Sequence, residues 1–437
     1  MQQISQIYYD FISYDHLRSV LSDLALAREH SLDLLLYTLS HMLWQPDYMP
    51  RVQIGLPQVD LDGARLLAHT FLFEIDRLLV SKTQLEYARF MDDMAIGADN
   101  IVEAREIIRD LDLALQTRQL RLNSGKTKIL SSVEAHHYYR INENIALDKL
   151  EARLNDLSES ISNVNKYRNM ISQAVNKGLK RGRFIDGNGE KILRRLINYS
   201  KRYRVKIDHE SFSEILYNWP SCRRLILSWW YEYIKPEDYL GLINEFVVSG
   251  HIVDDVAFID IAVAIVSARL PYNLIVIKLL NELIYSIDIK SDWGFYTSLW
   301  LMSKYGTEDE LFQLVDHGEK IWLTNEHLSR TAASVYPRFI GTKHELAVVG
   351  IMEKSNVWAR QAFHFQLALH KTVEGVTAIR KFLVARNKSL PNQISHSKFL
   401  MLASALKNTS IAPALGESLR AAHAWALKDQ YYSQIAK

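Results

Sequence analysis

Two adjacent aspartates, Asp92 and Asp93, are the residues whose type and spacing first suggest chemistry in this chain. They lie in the segment YARFMDDMAIG, where two short apolar runs predict a β-hairpin that carries the acidic pair. Adjacent carboxylates repel each other and are costly to bury, whereas a hard divalent cation such as Mg²⁺ accepts oxygen ligands of this kind. The pair is therefore either a solvated acidic turn or a metal socket, and nucleotidyl transfer is a reaction that uses such a socket.

Two flanking segments carry further candidate residues. Upstream, IGLPQ at 54–58 opens a helix; its glycine and proline predict a fixed turn, and Gln58 offers an amide for a nucleotide or template. Downstream, LRLNSGKTKIL at 120–130 predicts a turn and a short strand, with Lys126 just after the turn. A lysine in this position can neutralise a phosphate or protonate a leaving pyrophosphate.

The elements that must position these residues change in type along the chain. Residues 1–145 read as alternating helices and short strands, including an extended opening segment, ISQIYYDFI, which predicts an α+β domain. Beyond them the pattern predicts amphipathic helices only, with polar breaks roughly every 35–45 residues, the spacing of two-helix repeats. A HEAT-like helical array and an irregular helical bundle are the two interpretations of this region.

Taken in order, the three motifs resemble the palm of reverse transcriptases, over residues 1–145. FMDD resembles the Tyr-x-Asp-Asp motif, with Phe90 in place of the tyrosine at a position expected to pack. GLPQ resembles the motif that holds template and incoming nucleotide, here through Gly55 and Gln58, and LNSGKTKIL resembles the later lysine-bearing motif. The resemblance implies that Asp92 and Asp93 bind Mg²⁺ or Mn²⁺, with Lys126 as a third catalytic residue.

Within the family, the likeness is to the bacterial abortive-infection and unknown-group defence enzymes. It implies an α+β polymerase palm, here without the fingers that the family normally has, followed by an all-α, HEAT-like helical-repeat domain. It also implies RNA-directed DNA synthesis from dNTPs in antiphage defence, without a template or primed by the protein in some relatives. The nucleic-acid partner would be an RNA template or a DNA product.

The resemblance departs from the family pattern at the first palm strand. ISQIY aligns Tyr8 with the aromatic gate against a ribose 2′-hydroxyl, which leaves Gln3 where the family has its first aspartate. Using Asp10 instead would put Asp15 at the gate, a poor steric substitute. Two explanations remain for this departure and for the missing fingers: a start further upstream, or a degenerate palm. The alternative function is a catalytically incomplete palm that acts as a binding partner, in a homo-oligomer or with a partner subunit.

A basic stretch follows the predicted palm. It predicts a thumb-like helical connector over 146–210, before the helical-repeat domain over 211–437. Interleaved tyrosines make it a candidate nucleic-acid surface, and a solvated helical face is the alternative. The candidate contacts are Lys180, Arg181, Arg183, Arg194 and Arg195.

Composition limits the other possibilities. The net charge is only +2, so a nucleic-acid site must be a local patch rather than a property of the whole surface. The single cysteine, Cys222, excludes an intramolecular disulfide and a cysteine-based zinc site. The apolar runs are too short to cross a bilayer and the first residues do not resemble a signal peptide, which together predict a cytoplasmic protein.

Overall fold

The computed structural model describes residues 2–3, 8–25, 27–43, 53–57, 62–83, 86–155, 161–252, 254–268, 270–371, 400, 402–403, 405, 420, 424 and 427–435. The chain forms two compact units, Met1–His136 and His137–Lys437. The connector over 146–210 and the helical-repeat domain over 211–437 remain predictions from the sequence.

The first unit combines helices with a small sheet. Its helices are α1 (Tyr14–Ala25), α2 (Glu29–Met42), α3 (Asp62–Phe71), α4 (Phe73–Thr83), α5 (Ile101–Gln116) and α6 (Ser132–Tyr138), which crosses into the second unit. Its strands are β1 (Gln2–Gln3), β2 (Tyr87–Phe90) and β3 (Asp93–Ile96). The sheet order is β1-β3-β2 and both pairings are antiparallel. The predicted β segments around the acidic pair are thus confirmed as a hairpin.

Apolar side chains of helices α1 to α5 build the core of this unit. Leu111 and Leu115 of α5 are buried together with Phe71 of α3 and Leu79 of α4. Helix α4 packs against both α5 and β2, which ties the hairpin to the helical layer. The start of α5 is fixed by Asn100, whose side chain accepts hydrogen bonds from two backbone N–H groups of the first turn.

Two expected extended segments differ in the structure. Residues Tyr8–Phe11 of the opening segment form a short 3₁₀ helix rather than a strand, and the strand Gln2–Gln3 precedes that segment. The segment 117–131 forms turns and irregular backbone, with no strand beyond a single bridge residue. In the second case, Asn123 accepts local hydrogen bonds that replace a strand's ladder.

The second unit is all-α in the part of the chain that the structure describes, as the sequence predicts. Its helices are α7 (Ile141–Asn155), α8 (Ile161–Lys180), α9 (Gly189–Arg202), α10 (His209–Asn218), α11 (Pro220–Trp230), α12 (Pro236–Val248), α13 (Val256–Ser267), α14 (Leu274–Ser286), α15 (Asp292–Tyr305), α16 (Glu308–His317), α17 (Glu319–Trp322), α18 (Glu326–Ser334), α19 (Glu345–Lys354), α20 (Val357–Lys371) and α21 (Gln430–Ile435).

These helices stack in two rows. Helices α9, α11, α13 and α15 pack in sequence along one row, and α8, α10, α12 and α14 along the other. Contacts of α8 with α9, α10 with α11 and α14 with α15 join the rows, and Trp230, Phe246 and Phe295 are buried between helices. Among the described residues, none of the helices combines the length and the apolar character that a membrane crossing requires.

Candidate active site

The hairpin turn presents the acidic pair. Phe90 pairs with Asp93 in the antiparallel register, which leaves Met91 and Asp92 as the two central residues of the turn. Met91 has a φ of 57°, in the left-handed region that a residue with a side chain rarely adopts. Two-residue hairpin turns require such a φ because their twist must match that of the strands. The turn is therefore held in a costly conformation at the residue next to the carboxylates.

The pKa of Asp92 is subject to opposing effects from its surroundings. Partial burial raises the pKa of its carboxyl above the ordinary value, and the negative charge of Asp93 raises it further. The hydrogen bond from the backbone N–H of Asp92 itself and the positive charge of Lys126 lower that pKa. The structure thus brings Asp92, Asp93 and Lys126 into one electrostatic neighbourhood, as the motif order predicts.

Lys126 owes its position to a local turn. The side chain of Asn123 accepts from the N–H of Gly125 at 3.1 Å, and the carbonyl of Asn123 accepts from the N–H of Lys126 at 3.0 Å. The hydroxyl of Thr127 donates to the same carbonyl at 2.9 Å. The turn keeps Lys126 close enough for its charge to act on Asp92.

Tyr8 lies beneath the site. Its side chain is only 2% exposed, and its hydroxyl donates to the carbonyl of Ala68 in α3 at 2.6 Å. Burial raises the pKa of Tyr8, and the charge of Asp92 raises it too. The gate role implied by the resemblance needs an aromatic face in the open site. Tyr9 of the same segment is half-buried; partial burial raises the pKa of its hydroxyl, the charge of Arg65 lowers it and the charge of Asp92 raises it.

The Gly-Leu-Pro segment lies against the same 3₁₀ helix. Gly55 has a φ of 97°, so the predicted turn requires glycine, and its N–H donates to the carbonyl of Ile12 at 2.9 Å. Leu56 donates to the carbonyl of Tyr9 at 2.8 Å. Gln58, the expected nucleotide or template contact, lies outside the described residues.

Strand β1 places Gln3 directly beside the acidic pair. In the antiparallel register Gln3 pairs with Asp93, and Gln2 pairs with Met94. Among the described residues, no group of three or more His, Cys, Asp or Glu side chains is arranged to hold a metal ion. Two carboxylates still suit a single Mg²⁺ or Mn²⁺, because Mg²⁺ commonly takes one or two protein carboxylates and completes its shell with water and phosphate oxygens.

An open cleft of about 570 Å³ lies between α3 and the hairpin. Arg65, Leu66 and His69 line it from α3, and Phe90 and Met91 from the hairpin. Phe90 does not pack as expected, since it is 81% exposed. The alternation of β2 turns Tyr87 and Arg89 towards the helices and leaves Phe90 on the open face.

Arg89 is the residue that sequence reasoning missed. Its side chain is 3% exposed and forms a salt bridge with Asp76 of α4. The sequence does place Arg89 next to Phe90 on a predicted strand, so the two side chains are expected on opposite faces of the sheet. The sequence cannot tell which face is buried, because Tyr87 and Phe90 put one aromatic ring on each.

The basic stretch divides into exposed and engaged residues. Arg195 is turned inwards and forms salt bridges with Asp148 and Glu151 of α7. Lys180 is exposed and lies 2.7 Å from Glu210. Arg181, Arg183 and Arg194 are exposed and form no salt bridge with a described carboxylate. These three are the arginines of the predicted set that can meet a phosphate backbone without breaking an internal ion pair.

Comparisons with known proteins give no matching family model and no matching curated protein. What the hairpin site does must therefore follow from its own chemistry.

Proposed function

We propose that the first unit is a polymerase palm of the reverse-transcriptase type, and that its acidic pair serves nucleotidyl transfer dependent on Mg²⁺ or Mn²⁺. The observation that carries the proposal is the convergence of distant segments at one hairpin turn. Gln3 pairs with Asp93, and Lys126 acts on Asp92. A merely solvated acidic turn does not require a lysine and a third strand from distant parts of the chain.

Each residue has a defined task in this proposal. Asp92 and Asp93 would hold the cation, which when bound would supply positive charge to the phosphate oxygens. Lys126 would bind the same phosphates or give a proton to the leaving pyrophosphate. Phe90, exposed beside the carboxylates, offers a ring face on which a base can stack. Tyr8 and Gly55 would form the floor under the nucleotide rather than contact it directly.

The second unit would serve the same activity as a HEAT-like array with a nucleic-acid surface. Arg181, Arg183 and Arg194 are the proposed contacts with the RNA template or DNA product. The resemblance extends the proposal to synthesis from dNTPs in the cytoplasm as part of antiphage defence.

A second candidate function rests on Gln3. An amide is a weaker ligand than a carboxylate for a hard cation, and by the resemblance Gln3 occupies the sequence position at which the palm needs its third acidic residue. In this alternative the palm is catalytically incomplete, and the chain binds a nucleic acid or a protein, with a second copy or a partner subunit supplying the rest.

Nucleotide incorporation by the purified chain and by Gln3→Asp separates these functions. The assay uses labelled dNTPs with Mg²⁺ or Mn²⁺, on a primed RNA template, on a primed DNA template and without nucleic acid. We expect Gln3→Asp to raise incorporation at least tenfold, because a third carboxylate would bind the cation more tightly. Substitutions of residues around a metal typically change its affinity by about tenfold to a hundredfold.

Asp92→Asn and Gln3→Asn are the matched controls. Asp92→Asn should abolish incorporation in both backgrounds, whereas Gln3→Asn, which keeps the amide, should leave it unchanged. Incorporation only by Gln3→Asp would favour the incomplete palm. Incorporation that persists in Asp92→Asn would contradict the assignment of the site.

A further inference from the structure

The guanidinium of Arg89 is fully hydrogen-bonded inside the first unit. Arginine carries five N–H donors in a fixed planar fork. Nε donates to Asp76 Oδ1 at 2.6 Å and Nη2 to Asp76 Oδ2 at 2.5 Å. Nη2 also donates to the carbonyl of His69 at 3.2 Å. Nη1 lies 3.0 Å from His69 Nδ1 and donates to the carbonyl of Met91 at 2.7 Å.

This set of contacts links four elements of the chain. Asp76 lies on α4, His69 on α3, Arg89 on β2, and Met91 in the turn that follows β2. Because a guanidinium only donates, His69 Nδ1 is the acceptor of this hydrogen bond. Tyr87 adds a hydrogen bond to Asp76 Oδ1 at 2.5 Å. The fork therefore has one defined orientation.

The contact with Met91 reaches the acidic pair through a single peptide unit. The carbonyl of Met91 and the N–H of Asp92 belong to the same planar group, so fixing one fixes the other. The N–H of Asp92 also lies near its own carboxylate and lowers the pKa of that group. Without the arginine, the turn is free to leave the left-handed conformation of Met91, and the N–H of Asp92 would turn with it.

We propose that Arg89 is a positioning residue, which holds the peptide unit between Met91 and Asp92 so that the Asp92 and Asp93 carboxylates stay arranged for a divalent cation. The inference rests on the proposed function of the acidic pair, but it concerns metal affinity rather than polymerisation. Arg89 acts through the turn and does not itself contact substrate.

Mn²⁺ titration by calorimetry tests the proposal, with Arg89→Lys as the main variant. Lysine keeps the charge beside Asp76, but its single ammonium cannot reach Asp76, His69 and Met91 together. We expect Mn²⁺ affinity to fall by about tenfold to a hundredfold, the usual effect of losing a group that orients metal ligands. Asp76→Asn should have the same effect, and the two changes combined should cost little more than either alone.

Arg77→Lys is the control, since Arg77 is an exposed arginine on α4. Hydrogen–deuterium exchange of residues 90–94 supplies the second measurement, and it should be faster in Arg89→Lys and unchanged in Arg77→Lys. For incorporation, the Mn²⁺ concentration for half-maximal rate should rise in Arg89→Lys, while the rate at saturating Mn²⁺ stays near that of the unchanged chain.

The outcomes are distinct for the two proposals. If the chain binds Mn²⁺ through Asp92 but never incorporates nucleotides, the polymerase proposal fails and the Mn²⁺ affinities still decide the role of Arg89. Unchanged Mn²⁺ affinity in Arg89→Lys, with only a lower melting temperature, would make Arg89 merely structural and overturn the inference. Absence of Mn²⁺ binding by both the unchanged chain and Gln3→Asp would also overturn it, because there would be no metal site to position.

Discussion

At the scale of single residues, the acidic pair works against the stability of the fold. Burial and the neighbouring charge of Asp93 raise the pKa of Asp92. A carboxyl group whose pKa is higher in the folded state is destabilising when it is ionised. Its unfavourable contribution is absent below the pKa of the unfolded state, grows as the pH rises from that value to the folded pKa, and is complete above the folded pKa. Such a cost is typical of residues kept for function rather than for stability.

Asp92→Asn should therefore raise the melting temperature at neutral pH in the absence of divalent cations. The gain should be roughly 1 kcal/mol or less, about 2 °C, because the amide removes the charge and keeps the shape. Mg²⁺ should raise the melting temperature of the unchanged chain and not that of the variant. Differential scanning calorimetry measures both effects, and Asp99→Asn, an exposed change in the same unit, is the control. A lower melting temperature for Asp92→Asn would contradict the conclusion that the ionised Asp92 carboxyl destabilises the fold.

At the scale of elements, helix α9 shows how two adjacent arginines have different tasks. Arg194 is on its exposed face. One residue further round the helix, Arg195 is 27% exposed and donates from Nε to the hydroxyl of Tyr199 at 2.9 Å, in addition to its salt bridges with α7. Reversing both charges at once would therefore combine a binding effect with a folding effect.

Separate alanine substitutions should resolve the two effects. Arg194→Ala should weaken nucleic-acid binding and reduce the slope of log affinity against log salt by about one, with unchanged melting temperature. Arg195→Ala should lower the free energy of unfolding by about 1–2 kcal/mol, since Asp148 and Glu151 lose a partly buried partner. Filter binding at several salt concentrations and thermal unfolding provide the measurements. Equal binding by Arg194→Ala, Asn198→Ala and the unchanged chain would remove α9 from the nucleic-acid surface.

At the scale of the whole molecule, the second unit is tied together by contacts that span much of its length. Lys304 of α15 is buried, lies 3.0 Å from Asp429 and donates to the carbonyl of Val266 at 3.0 Å. Its ammonium also lies 4.6 Å from the ring centre of Tyr432 in α21. Burial lowers the pKa of Lys304, and the charge of Asp429 raises it. The pair thus keeps α21 against α15.

Asp429→Asn should lower the free energy of unfolding by about 2 kcal/mol at neutral pH, because it leaves a buried ammonium without its counter-charge. A lysine with a lowered folded pKa gains stability as the pH rises between its folded and unfolded values. The variant lowers that folded pKa further, so its deficit should shrink towards about pH 10. Thermal unfolding at several pH values tests this. Lys304→Met combined with Asp429→Asn should recover most of the lost free energy of unfolding. If it does not, the Lys304–Asp429 salt bridge is not what holds α21 against α15.

The sequence predicts the parts of the fold that depend on local pattern. The two strands around the acidic pair, the Asn100 cap of α5 and the all-α second unit all follow from periodicity and capping residues. The strand expected in 120–130 fails because Asn123 offers the backbone local hydrogen bonds instead. Short apolar runs beside such a residue do not by themselves distinguish strand from turn.

A residue of the candidate site can be predicted from the sequence only where a single local motif identifies it. The acidic pair and Lys126 can be named from the sequence, but the burial of Tyr8 depends on a hydrogen bond to Ala68, far along the chain. The inward turn of Arg195 likewise depends on carboxylates of α7. Arg89 is the clearest case, since four of its five contacts are to His69 and Asp76, which come close to it only after folding.

The contacts of α21 also bear on the order in which the chain can fold during its synthesis. Tyr431 donates to the carbonyl of Pro271 at 3.0 Å across a separation of 160 residues. The first unit consists of residues 1–136, so it can fold while the ribosome is still translating the later helices, at roughly 5–20 residues per second. Lys304 has neither its salt bridge with Asp429 nor its contact with the Tyr432 ring until residues 429–432 have been made. We therefore expect nascent chains stalled before residue 429 to bind chaperones through this part of α13 and α15, and to release them once α21 emerges.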